Sequence, residues 1–327
     1  MANLETSYLG LKLKSPIIAG SSGLSLKIEN LVEMEKNGAG AIVLKSLFEE
    51  QIRFEYAKQM SDATNLGYPE ADDYIRQYTE HNELDKYLKL IADAKKAVSV
   101  PIIASVNCYS DSDWVKFAEK LEKAGADAIE LNIYHLPSDE RINADAIEEQ
   151  YAAIIDHVTA NTNIPVAVKL SSYFTDLAHF VVKLSWKKPQ GIVLFNRPFS
   201  PDINITKQSI VGTGVFSHKD EISLPLRWIA LLSDKVQTDL CSSTGVHDGE
   251  GVVKMLLVGA KAVQVTSALY QKGIAEISKM NAFLSDWMDK NNYKSIDDFR
   301  GKMSYKAHSN PAAFERVQFM KYYSGIE

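Results

Sequence analysis

A-I-E-L-N-I-Y-H-L-P, residues 128–137, alternates apolar and polar side chains with a period of two. Ile129, Leu131 and Ile133 fall on one face, and Glu130, Asn132 and Tyr134 on the other. His135 stands just before Pro137, where the pattern ends. A period of two marks a strand whose two faces meet different surroundings. Taken alone, its polar face would pass for a solvated strand end leading into a surface loop. The other strands decide whether that face has a shared purpose.

Seven further short apolar runs, rich in β-branched residues, recur along the chain. They are P-I-I-A (16–19), A-I-V-L-K-S (41–46), P-I-I-A-S-V-N (101–107) and P-V-A-V-K-L-S (165–171), then G-I-V-L-F-N (191–196), Q-T-D-L-C-S (237–242) and A-V-Q-V-T-S-A (262–268). Segments of helical periodicity lie between them, such as I-E-N-L-V-E-M-E-K-N-G (28–38) and W-V-K-F-A-E-K-L-E-K-A-G (114–125). Both end at glycine, the usual residue after a helix. Eight strands alternating with helices require parallel pairing and right-handed crossovers. Eight, with no Gly-x-Gly-x-x-Gly after the first strand, predict an α/β fold of the (β/α)₈ barrel type rather than an open doubly wound sheet.

No Ser/Gly tract, low-complexity run or compositional break interrupts the chain, so residues 1–327 are expected to form a single domain. L-G-L-K-L-K-S-P (9–16) reads as an N-terminal hairpin that closes the barrel's bottom. Long loops are predicted at residues 47–83 after strand 2 and 197–225 after strand 6, and loops of that length at strand ends usually carry function.

Composition narrows the partners. A hydrophobic content of 46% and a charged content of 24% fit a globular chain with a sizeable core. A net charge of -6 argues against a nucleic-acid or anionic-membrane surface, which needs a basic field. The two cysteines, Cys108 and Cys241, are far apart, which excludes a disulfide scaffold, a zinc ribbon and a cysteine-held iron–sulfur cluster. No carboxylate cluster or H-E-x-x-H indicates a metal, and His218 and His247 lack ligand spacing. With neither a signal peptide nor a run of 18 apolar residues, a cytoplasmic, membrane-free protein is expected.

Alternation assigns each strand an inward set: Ala41, Val43 and Lys45 in strand 2; Pro101, Ile103, Ser105 and Asn107 in strand 3; Ala128, Glu130, Asn132 and Tyr134 in strand 4. Strand 5 contributes Pro165, Ala167, Lys169 and Ser171, and strand 6 Ile192, Leu194 and Asn196. Five times, small or apolar residues sit low and a Lys or Asn sits near the top. Polar groups gathered in that way need hydrogen-bonding partners, and the carboxyl-terminal face is where such barrels bind ligands. After strands 7 and 8, S-S-T-G-V-H-D-G-E-G and V-T-S-A-L offer hydroxyls and backbone amides, with a helix opening near Asp248. These are the positions of the common barrel phosphate site.

On this pattern the chain resembles the FMN-dependent dihydroorotate dehydrogenase family along nearly its whole length. The matching pieces are S-P-I-I-A-G-S-S-G, A-G-A-I-V-L-K-S, E-L-N, V-A-V-K-L and Q-V-T-S-A-L, and Y-K-S-I-D-D-F-R-G-K (293–302) looks like the family's closing helix. The resemblance is to the soluble class without iron–sulfur subunits, and it implies FMN as cofactor, a small-molecule substrate and a homodimer. It implies flavin contacts for Ser21, Lys45, Ser46, Asn107, Asn132 and Lys169, and phosphate contacts for Thr244, Gly245, Thr266 and Ser267, although the family has glycine at two of those four positions. Asn65, Asn132 and Asn196 are implied as substrate-binding residues, and Lys45 as part of the catalytic centre.

Two departures stand out. The family follows its strand 4 asparagine with a Cys or Ser base and then Pro-Asn, whereas here Asn132 is followed by Ile133, Tyr134, His135, Leu136 and Pro137. His135 therefore occupies the base position, with a pKa range suited to proton abstraction near neutrality, and Tyr134 and Cys108 are the other candidate bases. A Gly-Gly pair before strand 7 is also missing, with H-K-D-E-I-S in its region. The expected activity is hydride transfer from dihydroorotate or a related dihydropyrimidine or carbonyl compound to flavin. The alternatives are a non-redox lyase using Lys169 as a Schiff-base amine and a flavin-binding protein without turnover.

Overall fold

The computed structural model describes residues 2–48, 72–107, 111–198 and 200–315. The chain opens with an antiparallel hairpin, β1 (Thr6–Tyr8) against β2 (Leu11–Leu13). Its tight turn places Leu9 and Gly10 at positive φ, of 57° and 74°. The barrel then begins with β3 (Ile17–Ala19), β4 (Ala41–Val43), a short β5 (Leu47–Phe48) and β6 (Ile102–Asn107). It continues through β7 (Ala128–Asn132), β8 (Val166–Leu170) and β9 (Gly191–Leu194). An antiparallel hairpin, β10 (Ser200–Asn204) with β11 (Ser209–Thr213), precedes β12 (Asp239–Ser242) and β13 (Ala262–Val265).

Pairing runs β4-β3-β13-β12-β9-β8-β7-β6, and a β4–β6 ladder closes the ring. Every pair around the ring is parallel. All eight expected strands are present, and the fold is the (β/α)₈ barrel. Between strands run α1 (Ile28–Lys36), α2 (Asp72–Ala97), α3 (Asp111–Lys123), α4 (Ala144–Ala160), α5 (Leu177–Ser185), α6 (Ser223–Leu232) and α7 (Gly249–Leu257). After the last strand come α8 (Ser267–Lys272), α9 (Glu276–Lys290) and α10 (Ala312–Glu315).

The strand alternation divides the apolar residues into two cores. Ile42, Leu44, Ile129, Leu131, Val168 and Leu170 pack outward against the helices. Ala41, Val43, Ile103, Ala128, Ala167, Val193, Cys241 and Ala262 fill the interior with small side chains, and the hairpin plugs its lower end with Tyr8, Leu9 and Leu13. A Cβ on Gly191 would lie 2.4 Å from Leu9 Cδ2, so this close approach needs a glycine where β9 starts. Asp239 Oδ2 accepts a hydrogen bond from the Leu9 amide at 2.9 Å, which ties the plug to β12.

Two expectations are corrected, and both long connections have structure of their own. The segment 47–83 is not one long loop: β5 pairs with β6 at once, and α2 already begins at Asp72. The segment 197–225 contains the β10–β11 hairpin. Residues 293–302 form only a 3₁₀ turn at Ile296–Asp298; the long closing helix is α9. β9 also has the opposite phase to the one expected: Val193 faces the interior, while Ile192 and Leu194 pack outward. Asn196 still lines the cleft at the top of the barrel, beyond the last residue of β9.

Candidate active site

At the carboxyl ends of the strands lies a polar cleft that opens to solvent. Its floor is a chain of three buried polar side chains. Lys169 Nζ donates to Gln264 Oε1 at 2.8 Å, and Gln264 Nε2 donates to Glu130 Oε2 at 2.5 Å. Lys169 Nζ also lies 3.5 Å from Glu130 Oε1. A carboxylate this deeply buried is stable only beside a cation and donors. Below it the Tyr8 phenol and the Cys241 thiol are both held well above their usual pKa, chiefly by burial and also by the negative charge of Glu130. Both are therefore neutral, and Lys169 is the charge that balances Glu130.

One wall is a hydroxyl relay. Ser21 Oγ lies 3.2 Å from Ser46 Oγ and accepts from the Ser46 amide at 2.9 Å, while Ser46 Oγ lies 2.7 Å from Ser105 Oγ. Tyr87 fixes the far end: its hydroxyl donates to the Ser105 carbonyl and accepts from the Ser105 amide. On another side Asn196 Nδ2 donates to Asn132 Oδ1 at 2.8 Å, which sets both amide planes. Arg197 lines the cleft next to Asn196 and pairs with Glu221 at 2.8 Å.

The lip opposite is built by the segments after β12 and β13. Ser243, Thr244, Gly245, Val246, Thr266 and Ser267 all line the cleft. Thr244 and Gly245 have φ of 81° and 79°. A Cβ on Gly245 would fall 2.1 Å from the Ile222 amide nitrogen, so a side chain is excluded there. Thr244 holds its unfavourable conformation with a hydrogen bond from Oγ1 to the Phe195 carbonyl at 3.1 Å. Such a conformation costs about 1–3 kcal/mol and is typical of residues held for a site.

Seven of the residues singled out from the sequence thus share one cleft: Ser21, Lys169, Asn196, Thr244, Gly245, Thr266 and Ser267. Ser46 and Asn132 join it through hydrogen bonds. Lys45 and Asn107 are half-buried at the ends of neighbouring strands. His135 is half-buried three residues beyond β7 and is not part of the cleft lining, and Tyr134 beside it is exposed. Asn65 and Cys108 lie outside the described residues.

The helix expected near Asp248 is α7, but its first turn is already capped. Asp248 Oδ1 accepts from the Gly251 amide at 2.9 Å, and Lys219 pairs with Oδ2 at 2.6 Å. An anion at this lip therefore meets the loop amides and hydroxyls, not that helix end.

Sequence reasoning missed Gln264, Arg197 and Ser217, and it had Ser243 only within S-S-T-G-V-H-D-G-E-G and His247 only as a residue without metal-ligand spacing. Gln264 was readable, being the lone amide in A-V-Q-V. The others lie on loops without periodicity. Among the described residues no group of three or more His, Cys, Asp or Glu side chains is arranged for a metal ion, and no helix is long and apolar enough to cross a membrane.

A closed parallel barrel with a polar cleft at the carboxyl ends of its strands, floored by a lysine neutralising a buried carboxylate, is the architecture on which (β/α)₈ enzymes build their sites. Comparison with known families narrows that class: the dihydroorotate dehydrogenase family model matches residues 3–288. The chain belongs to the dihydroorotate dehydrogenase family and is an oxidoreductase of that kind. It is 24% identical over 316 residues to the dihydroorotate dehydrogenase B (NAD(+)) catalytic subunit of Thermoplasma acidophilum, covering 92% of this chain and 99% of that one. The corresponding subunit of Pyrococcus abyssi is 23% identical over 310 residues, 91% and 98% of the two chains. A dihydroorotate dehydrogenase A (fumarate) from Lactobacillus delbrueckii subsp. bulgaricus is 22% identical over 323 residues, 93% and 100%.

Proposed function

We propose that this chain binds FMN in the cleft and dehydrogenates a small carbonyl compound, dihydroorotate or a related dihydropyrimidine. The supporting observation is the convergence of Lys169, the Asn132–Asn196 pair and the Thr244–Gly245 and Thr266–Ser267 lips on a single cleft. The residues present fit the cofactor. Gly245 lets the lip pack directly against the Ile222 backbone, where any Cβ would collide, and the hydroxyls and amides around it suit a phosphate. Lys169 supplies positive charge at the floor, where a reduced, anionic ring needs it.

Bound FMN supplies the hydride acceptor. The chain supplies the rest. Ser21 and Ser46, fixed by Ser105 and Tyr87, present ordered hydroxyls beside Lys45 and Lys169. Asn132 and Asn196 retain free amide donors and acceptors for the carbonyl and N–H edges of a flat substrate. Arg197 closes that end, held by Glu221 and by the Gly214 and Val215 carbonyls. His135, in the position where the family keeps its base though outside the cleft lining, is the group assigned to take a proton from the carbon next to the carbonyl. Lys169 is held by Gln264 and Glu130, the opposite of the apolar isolation that a Schiff-base amine requires.

The test is an absorption spectrum of the purified protein, followed by anaerobic titration with dihydroorotate and related dihydropyrimidines. Flavin bands near ~450 nm that bleach on titration are expected. A colourless protein that takes up no FMN, or trapping of a carbonyl compound on Lys169 by borohydride, would overturn this reading. Sedimentation of the same sample tests the homodimer, and fractionation of cells tests the cytoplasmic location.

A further inference from the structure

Ser217 and His247 meet at the lip of the cleft, both buried, and take no part in the chemistry at the Asn132–Asn196 end. His247 Nε2 lies 3.0 Å from Ser217 Oγ. The Ser217 amide donates to Ser267 Oγ at 3.0 Å, and both serines line the cleft beside Thr244, Gly245 and Thr266. Lys272 Nζ donates to the His247 carbonyl at 2.7 Å and so fixes the backbone that carries the ring.

We propose that His247 is a positioning residue for the phosphate end of FMN, acting through Ser217. This rests on the FMN reading above. A serine hydroxyl has one proton. With Nε2–H donating to Ser217 Oγ, the oxygen is satisfied from behind and its own proton is directed into the cleft. Ser267 is arranged in the same way: its oxygen accepts the Ser217 amide, and its proton is left for the cleft. The two hydroxyls thus become oriented donors, which is what an anion with several acceptor oxygens requires.

The surrounding charges leave this duty to neutral groups. The charged side chains around His247 are Lys272, Asp248 and Glu221. Asp248 is engaged by Lys219 and by the Gly251 amide, Glu221 by Arg197, and Lys272 by the His247 carbonyl. Burial, with Lys272 nearby, holds the ring below its usual pKa, and a neutral ring still has the one N–H that Ser217 needs.

The experiment compares FMN with riboflavin, which lacks the phosphate, by fluorescence titration of the full chain stripped of flavin. Wild type should bind FMN at least tenfold more tightly than riboflavin. H247A and S217A should each weaken FMN by about tenfold and leave riboflavin unchanged, the double variant should lose no more than either single one, and H247Q, whose amide also donates, should retain most of the affinity. Equal losses for FMN and riboflavin, or no loss in S217A, would overturn the proposal while the FMN reading stands. Failure of wild type to bind either flavin would overturn both. S217A removes one oxygen atom, so it reports on the hydroxyl even if H247A does not fold.

Discussion

Lys169 Nζ and Glu130 Oε1 stand 3.5 Å apart inside the barrel, joined a second time through Gln264. The pair is buried, with Glu130 at 1% exposure. Neither member can be removed alone without stranding the other's charge or polarity. Replacing Lys169 with Met should destabilise the protein by about 3–5 kcal/mol, the usual cost of breaking a buried pair. Lys169→Met with Glu130→Gln should recover much of that loss. Urea unfolding of the two single variants and the double variant measures both, and additive losses would disprove the coupling.

Gly245 is the position where geometry leaves no choice. Gly245→Ala meets both a φ of 79° and a Cβ 2.1 Å from the Ile222 amide nitrogen, so the lip must shift. Loss of FMN affinity by about tenfold or more is expected, with a near-native circular dichroism spectrum, since the strain is local and costs about 1–3 kcal/mol. Retained affinity would mean that phosphate is held elsewhere.

Proton abstraction tests His135. His135→Ala should slow flavin reduction by substrate by at least about 100-fold, and an unchanged rate would eliminate it as the base. Asn196→Ala acts differently: it removes a hydrogen bond to Asn132 and a substrate contact, so KM should rise by about tenfold.

Acid should weaken the protein through His247. Burial, reinforced by repulsion from Lys272, lowers the pKa of this group in the folded chain below the ordinary histidine value. As pH falls below about 6.5, the unfolded chain takes up the proton first, so stability falls with pH down to the folded-state pKa and is unaffected above about 6.5. His247→Gln should flatten that part of the profile, as thermal melts from pH 7.5 to 5 will show.

The strands were legible because a ring of parallel strands demands short apolar runs at regular spacing. Ala41, Val43, Ile103, Ala128, Glu130, Ala167 and Lys169 could be placed on the inner face because polar or small residues mark one side of their strands. The phase of β9 was not legible: Ile192, Val193 and Leu194 are all apolar, so both faces read alike. Family likeness makes the tail at 293–302 a helix, yet it carries Ser295 and Asp298 in a capping box that ends after one 3₁₀ turn. The phosphate lip was found from hydroxyls and glycine next to strand ends. Its support was not: Ser217 and His247 are thirty residues apart on irregular segments, and only the closed barrel brings them together.

The plug formed by Tyr8 and Leu9 has a consequence for the order of assembly. The Leu9 amide finds its acceptor 230 residues later, at Asp239, and β3 gains its second neighbour only when β13 exists. During synthesis, then, the first strand and its hairpin must wait through most of the chain with an unpaired edge, a slow, non-local closure. Cleft residues come from both sides of that seam, Ser21 before it and Ser267 after it. Ligand uptake therefore reports a finished ring, and a nascent chain halted before Val265 would lack Thr266 and Ser267 of the lip together with α8 and α9.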